Sequence, residues 1–139
     1  MVSYDTKKRV TKVKRPSDKE INNKVRDAIK AIEEGKRSIP MSKHFVSDQD
    51  DLGIEDTKDL WPLLVILLKE IEQIGPSSCY VGGRPPEKSY EVAIEGKELW
   101  PYSWDSISMN KKMYIKFCFV GGYYFYVGCH ESKPKGATK

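Results

Sequence analysis

The sequence predicts an α+β domain with two N-terminal helices packed on one face of a twisted antiparallel sheet of three to five strands. Three stretches carry that prediction. Residues 17–35 open with a capping box and repeat apolar residues at helical spacing. Residues 57–74 form a second, far more apolar helical run. Lys112 to Glu131 holds two aromatic and β-branched runs around Gly121-Gly122, a hairpin signal. At 139 residues and 16.0 kDa the chain has the length of one domain with a real core.

In chain order, residues 1–16 read as a basic arm, expected to be flexible, 17–133 as the folded domain and 134–139 as a basic tail. Lys7, Lys8, Arg9, Lys12, Lys14 and Arg15 stand against Asp5, a balance of +5 in a chain whose total is +4. Lys133, Lys135 and Lys139 add to it, so the body between is mildly acidic. Basic ends suit contact with phosphates, through release of counterions. The alternative is a solubilising terminus.

Ser17 and Glu20 form the capping box of the first helix, Ile21, Val25, Ala28, Ile29 and Ile32 its buried stripe, and Gly35 its left-handed stop. Residues 36–56 are weakly periodic and interrupted by Pro40 and Gly53. Ile39, Met41, Phe45 and Val46 there suggest a short strand or a turn of helix, with a tight turn at Asp50 to Glu55. His44 in this segment reads as structural or merely exposed. The second helix runs from Thr57 or Asp59 to Ile74, tolerates Pro62 in its first turn and stops at Gly75-Pro76. Being apolar over most of its circumference, it is expected to be the central core helix.

Pro76 to Lys88 reads as a surface loop around Gly82-Gly83-Arg84, which has the weaker alternative of a backbone approach to phosphate. Ser89 to Ile94 alternates like a strand, and Leu99 to Trp104 is an aromatic strand that Pro101 confines to an edge or a bulge. For the hairpin, a two-residue loop leaves no clean core face. A three-residue loop that includes Tyr123 pairs Val120 with Tyr124 and sets Met113, Ile115, Phe117, Phe119, Phe125, Val127 and Cys129 on the core face. The other face then carries Tyr114, Lys116, Cys118, Tyr124, Tyr126 and His130, with Tyr114 across from His130.

Composition narrows the function. No apolar run approaches the roughly 18 residues of a membrane span, the start carries no hydrophobic signal region, and a cytoplasmic location without membrane contact is expected. Cys79, Cys118 and Cys129 form no C-x-x-C pair and give neither a disulfide framework nor a zinc pattern. Phosphate loops, dinucleotide fingerprints, H-E-x-x-H and nucleophile elbows are absent, so no cofactor is expected. Metal-free RNA cleavage needs a base for the 2′-hydroxyl, a cation at the phosphate and an acid for the leaving oxygen. Tyr114, Lys116 and His130 are residue types that fill those roles, while Tyr124 and Tyr126 are candidates to stack bases and Arg84 and Lys133 to bind phosphates.

Several stretches resemble the motility quorum-sensing regulator (MqsR) toxins, within the RelE-like group of bacterial mRNA interferases that also includes the BrnT toxins. They are Asp51-Leu52-Gly53-Ile54-Glu55 before a buried helix, a tryptophan-bearing strand, Met113-Tyr114-Ile115-Lys116-Phe117, and a last strand ending in a basic segment. The resemblance covers roughly residues 20 to 133. It implies a RelE-like fold, ribonuclease activity on mRNA, free or on the ribosome, and neutralisation by a cognate antitoxin. By position, Tyr114 and Lys116 match the family's penultimate strand and His130 to Lys133 the basic end of its last strand. The chain departs from the family in its long basic N-terminus, its expanded Pro76 to Lys88 loop, and a histidine at 130 where lysine or arginine is expected. The competing reading is a non-catalytic module that binds RNA or protein through the same tyrosine-rich face. A third is an orphan protein whose aromatic face pairs two copies.

Overall fold

A computed structural model describes residues 16–40 and 42–132; residues 1–15 of the expected 1–16 arm, Met41, Lys133 and the expected tail at 134–139 lie outside the described residues. Helix α1, Asp18–Glu33, begins as its capping signal requires, with Ser17 Oγ accepting from the Glu20 amide at 3.0 Å. Its stripe from Ile21 to Ile32 is buried. Gly35, at φ +80°, lets the chain turn back on the helix, with Lys36 N donating to Ala31 O at 2.8 Å. That turn delivers β1, Arg37–Ser38, to the sheet edge parallel to the last strand. The sheet is therefore mixed and not wholly antiparallel, because the end of α1 lies directly beside that strand.

Helix α2, Lys43–Leu52, stands where a short strand or a turn of helix was expected. Ser42 Oγ caps it by accepting from Phe45 N, and Gly53 ends it at φ +74°. Its buried positions are Phe45, Asp48 and Leu52, so a carboxylate occupies the middle of the inward stripe and hides the helical pattern. A short 3₁₀ turn, Thr57–Asp59, leads into α3, Leu60–Ile74. Leu60, Trp61, Leu64, Leu67, Leu68 and Ile71 are buried, but Ile66 and Ile74 are about half exposed at 49% and 53%. The expectation of a helix buried almost all round is thus corrected. One-turn helix α4, Pro76–Cys79, is tied to α1 where Asn22 Oδ1 accepts from Ser77 N and Oγ.

Strands β2 (Trp100–Ser106), β3 (Lys111–Val120) and β4 (Tyr123–Glu131) complete a four-stranded sheet of order β1-β4-β3-β2. Pro101 sits on the edge strand, as its missing amide demands. The expected strand at 89–94 does not form. Ser89 Oγ takes the Glu91 amide and a 3₁₀ turn follows at Val92–Ile94, leaving Tyr90 and Val92 outside and Ile94 as the buried hydrophobic residue of the segment. The architecture is α+β, with four helices and an open mixed sheet among the described residues. Among the described residues no helix is long and apolar enough to cross a membrane.

The hairpin corrects the expected register in an instructive way. Val120 pairs with Tyr123 across a two-residue turn, with Gly121 and Gly122 at φ +57° and +84°, the left-handed pair that a type I′ turn requires. The extra residue lies in the middle of β4: Phe117 pairs with Tyr126 but Lys116 with Gly128, so Val127 is a β-bulge. Before the bulge, Tyr124 and Tyr126 face the core, at 0% and 1% exposure, while Phe125 and Val127 face the other way. Beyond it, Cys129 faces inward and Tyr114 lies opposite His130, as expected.

Candidate functional site

The outer face of the hairpin is divided in two. Near the turn, Ile94 and Leu99 from the connecting segment cover Cys118, with Val120, Phe125 and Val127 around them. Beyond the bulge that cover ends, and a cleft of about 340 Å³ opens. Tyr114, Lys116, Gly128 and His130 line it from the sheet, His44 and Asp48 from α2, and Glu91 from the connecting segment. Thus Tyr114, Lys116 and His130 come together, joined by three ionisable groups that sequence reasoning left out of the site.

Each is positioned by local structure. The Tyr114 and His130 rings lie 5.2 Å apart between centroids and 30° from parallel, a consequence of their direct cross-strand pairing. Burial first, and then the nearby Glu87 carboxylate, push the Tyr114 phenol above its ordinary range, so it stays protonated. His130 Nδ1 lies 3.0 Å from the Glu131 carbonyl. A carbonyl only accepts, so Nδ1 carries the hydrogen, and Nε2 is the ring nitrogen left without a partner among the described residues. Lys116 is half-buried, and no carboxylate among the described residues pairs with it, whereas its neighbours Lys111 and Lys112 contact Glu131 and Asp105 at 3.8 and 3.7 Å.

Asp48 forms the floor. At 7% exposure, its Oδ2 accepts from the Tyr126 hydroxyl at 2.6 Å and from Cys129 N at 3.0 Å, fastening α2 to β4 just past the bulge. Burial and then this bond to Asp48 raise the Tyr126 phenol strongly, keeping it a donor. The amide that Asp48 receives lies beside the bulge, where regular pairing is interrupted.

The remaining candidates lie elsewhere. Tyr124 and Tyr126 are in the core, so neither ring offers a face to a base; this corrects their expected placement and follows from the bulge. Arg84 is away from the cleft, donating to Pro16 O and to the Asp18 carboxylate at 3.1 and 3.2 Å. Gly82 in the same loop is structural: a Cβ there would come within 2.9 Å of the Tyr80 ring and Pro101. Lys133 lies outside the described residues. All three cysteines are free and buried, and burial raises Cys118 to about 11, so its thiol is inert at neutral pH. No three His, Cys, Asp or Glu side chains among the described residues cluster as metal ligands would. No protein-family model, curated protein or solved structure matches this chain.

Proposed function

We propose that the chain is a toxin-like, metal-independent endoribonuclease of the RelE-like group, cutting mRNA and held in check by a cognate antitoxin. The observation that supports this reading is the meeting of Tyr114, Lys116 and His130 in one open cleft on the face away from the core. His130 Nε2 takes the proton of the 2′-hydroxyl as that oxygen attacks phosphorus. Lys116 stabilises the charge that gathers on the phosphoryl oxygens, and the protonated Tyr114 donates a hydrogen bond to one of them while its ring holds His130. The products are a 2′,3′-cyclic phosphate and a 5′-hydroxyl. The alternative of a binding module with a tyrosine-rich face loses support, because two of its tyrosines point into the core.

The test is expression of wild type and of Tyr114→Ala, Lys116→Ala and His130→Ala, with growth arrest scored in cells and mRNA cleavage scored with and without EDTA. Wild type should cut in both conditions and leave the cyclic phosphate. Each variant should lose at least about 100-fold in rate, the usual cost of a missing proton-transfer group or charge stabiliser. Wild-type protein that binds RNA without cutting it would overturn the proposal.

A further inference from the structure

We infer that His44 is the general acid of this cleft, giving its proton to the departing 5′-oxygen while His130 serves as the base. The inference rests on the ribonuclease reading above and supplies the role that reading leaves unfilled. The chain has two histidines, far apart in sequence, and the fold brings both to the wall of one 340 Å³ cleft. Each arrives on a different element, His130 on β4 and His44 on α2, so that two separate imidazoles are available for the two oxygens an in-line displacement must serve.

The position of His44 is fixed by its helix. Asp48 stands four residues on, on the same helical face and about 6 Å along the axis. Because Tyr126 and Cys129 hold the Asp48 carboxylate, the turn that carries His44 is held against β4. His44 is exposed and makes no side-chain hydrogen bond among the described residues, so its imidazole has no structural duty there. The charged and titratable groups sharing the cleft with it are Asp48 on its own helix, Glu91 on the connecting segment, Lys116 and Tyr114 on β3, and Tyr126 and His130 on β4. Of the two phenols, Tyr126 is committed to Asp48, and Tyr114 is driven by burial and then Glu87 away from proton release near neutral pH. An imidazolium is suited to that release.

The step balances. The 2′-oxygen bonds to phosphorus and its proton passes to His130 Nε2; the bond from phosphorus to the 5′-oxygen breaks and that oxygen takes the proton of His44. Water then returns both rings to their starting states.

The experiment compares two substrates in wild type, His44→Gln and His130→Gln: a short RNA, and a nucleoside 3′-(4-nitrophenyl phosphate), whose nitrophenolate leaves without needing a proton. His44→Gln should slow RNA cleavage by at least about 100-fold and the activated ester by less than about tenfold, whereas His130→Gln should slow both alike. For RNA, the fall of kcat/KM at high pH, which reports an acid that must stay protonated, should disappear in His44→Gln. Equal slowing of both substrates by His44→Gln, or full RNA activity in that variant, would overturn the assignment and leave the ribonuclease standing. A wild type inert on both substrates would overturn the ribonuclease reading, and the assignment with it.

Discussion

Between Tyr123 and Tyr126 the last strand turns its even-numbered side chains into the core, and beyond Val127 it turns Cys129 inward and carries Gly128 and His130 on the outside. The first half is covered on both faces, by the helices on one side and by Ile94 and Leu99 on the other. The second half is covered on one face only. The end of the Ile94 and Leu99 cover separates a structural half-strand from one that exposes chemistry, while the inserted residue passes the inward-facing set from even to odd numbers, because side chains alternate with period two.

The harshest way to break that contrast is to delete Phe125. Tyr124 and Tyr126 then become adjacent, and because side chains alternate they cannot both stay inside. Cooperative thermal melting should be lost in the deletion and kept in Phe125→Ala, which leaves the residue count intact. A deletion variant that melts like wild type would contradict the inward placement of both tyrosines.

The inversion of the turn half is sharpened by single substitutions. Tyr124→Ala and Tyr126→Ala should each cost about 3 to 5 kcal/mol, as truncation of a buried aromatic does. Tyr126→Ala also strips Asp48 of a hydrogen bond. Phe125→Ala, at a half-buried position between them, should cost clearly less in denaturant melts. Equal losses at 124 and 125 would contradict the inverted faces.

How much of this was legible follows from where the sequence signals lie. Ser17, Glu20 and Gly35 are local chemistry with local consequences, and α1 appears where they predict it. The hairpin itself was equally readable, and its extra residue could be inferred from the need for a coherent apolar face. Its location could not. Placing it in the loop satisfied the alternation as well as placing it at 127, and only tertiary partners distinguish the two: Asp48 for the Tyr126 hydroxyl, Ile94 and Leu99 for the outer face. Helix α2 was hidden for a related reason, since its inward stripe runs Phe45, Asp48, Leu52, and Asp48 is explained by a strand 78 residues away in sequence. The same distance concealed His44, whose place in the cleft depends on that anchor. A serine at 42 and a glycine at 53 bracketing ten residues were the available signal for the helix.

The two turns of the sheet offer a milder contrast. The Gly121-Gly122 turn is made by backbone conformation alone, whereas Glu70 holds the β2–β3 turn, accepting from Trp104 Nε1, Ser106 Oγ and both Ser108 N and Oγ at 2.6 to 2.8 Å. Burial alone would raise the Glu70 carboxyl, but the bonds from Ser108, Trp104 and Ser106 outweigh it and lower it. A carboxylate lowered by folding stabilises fully above the ordinary carboxylate range and loses that contribution as pH falls through its folded value. Glu70→Gln should therefore reduce stability at pH 7 and flatten the acid side of the stability profile. An acid limb as steep as that of wild type would assign the pH dependence to other carboxylates.

The smallest effect on stability is expected at Gly128, where the exposing half of the strand begins. A Cβ there would lie 3.8 Å from Asp48 Oδ2 and 3.9 Å from the His130 ring, ordinary contact distances, and its φ is not in the left-handed region. Gly128→Ala should be neutral or stabilising by up to about 1 kcal/mol, through loss of unfolded-state freedom. Leucine at the same position has to extend beyond that Cβ, past Asp48 and His130 and into the cleft that Lys116 shares. Gly128→Leu should thus keep most of the stability and lose RNA cleavage through a raised KM, because it takes the space the scissile phosphate needs while leaving every proposed catalytic group in place. Full activity in Gly128→Leu, measured beside an unchanged melting curve, would mean that the phosphate is handled somewhere other than between His44, Lys116 and His130.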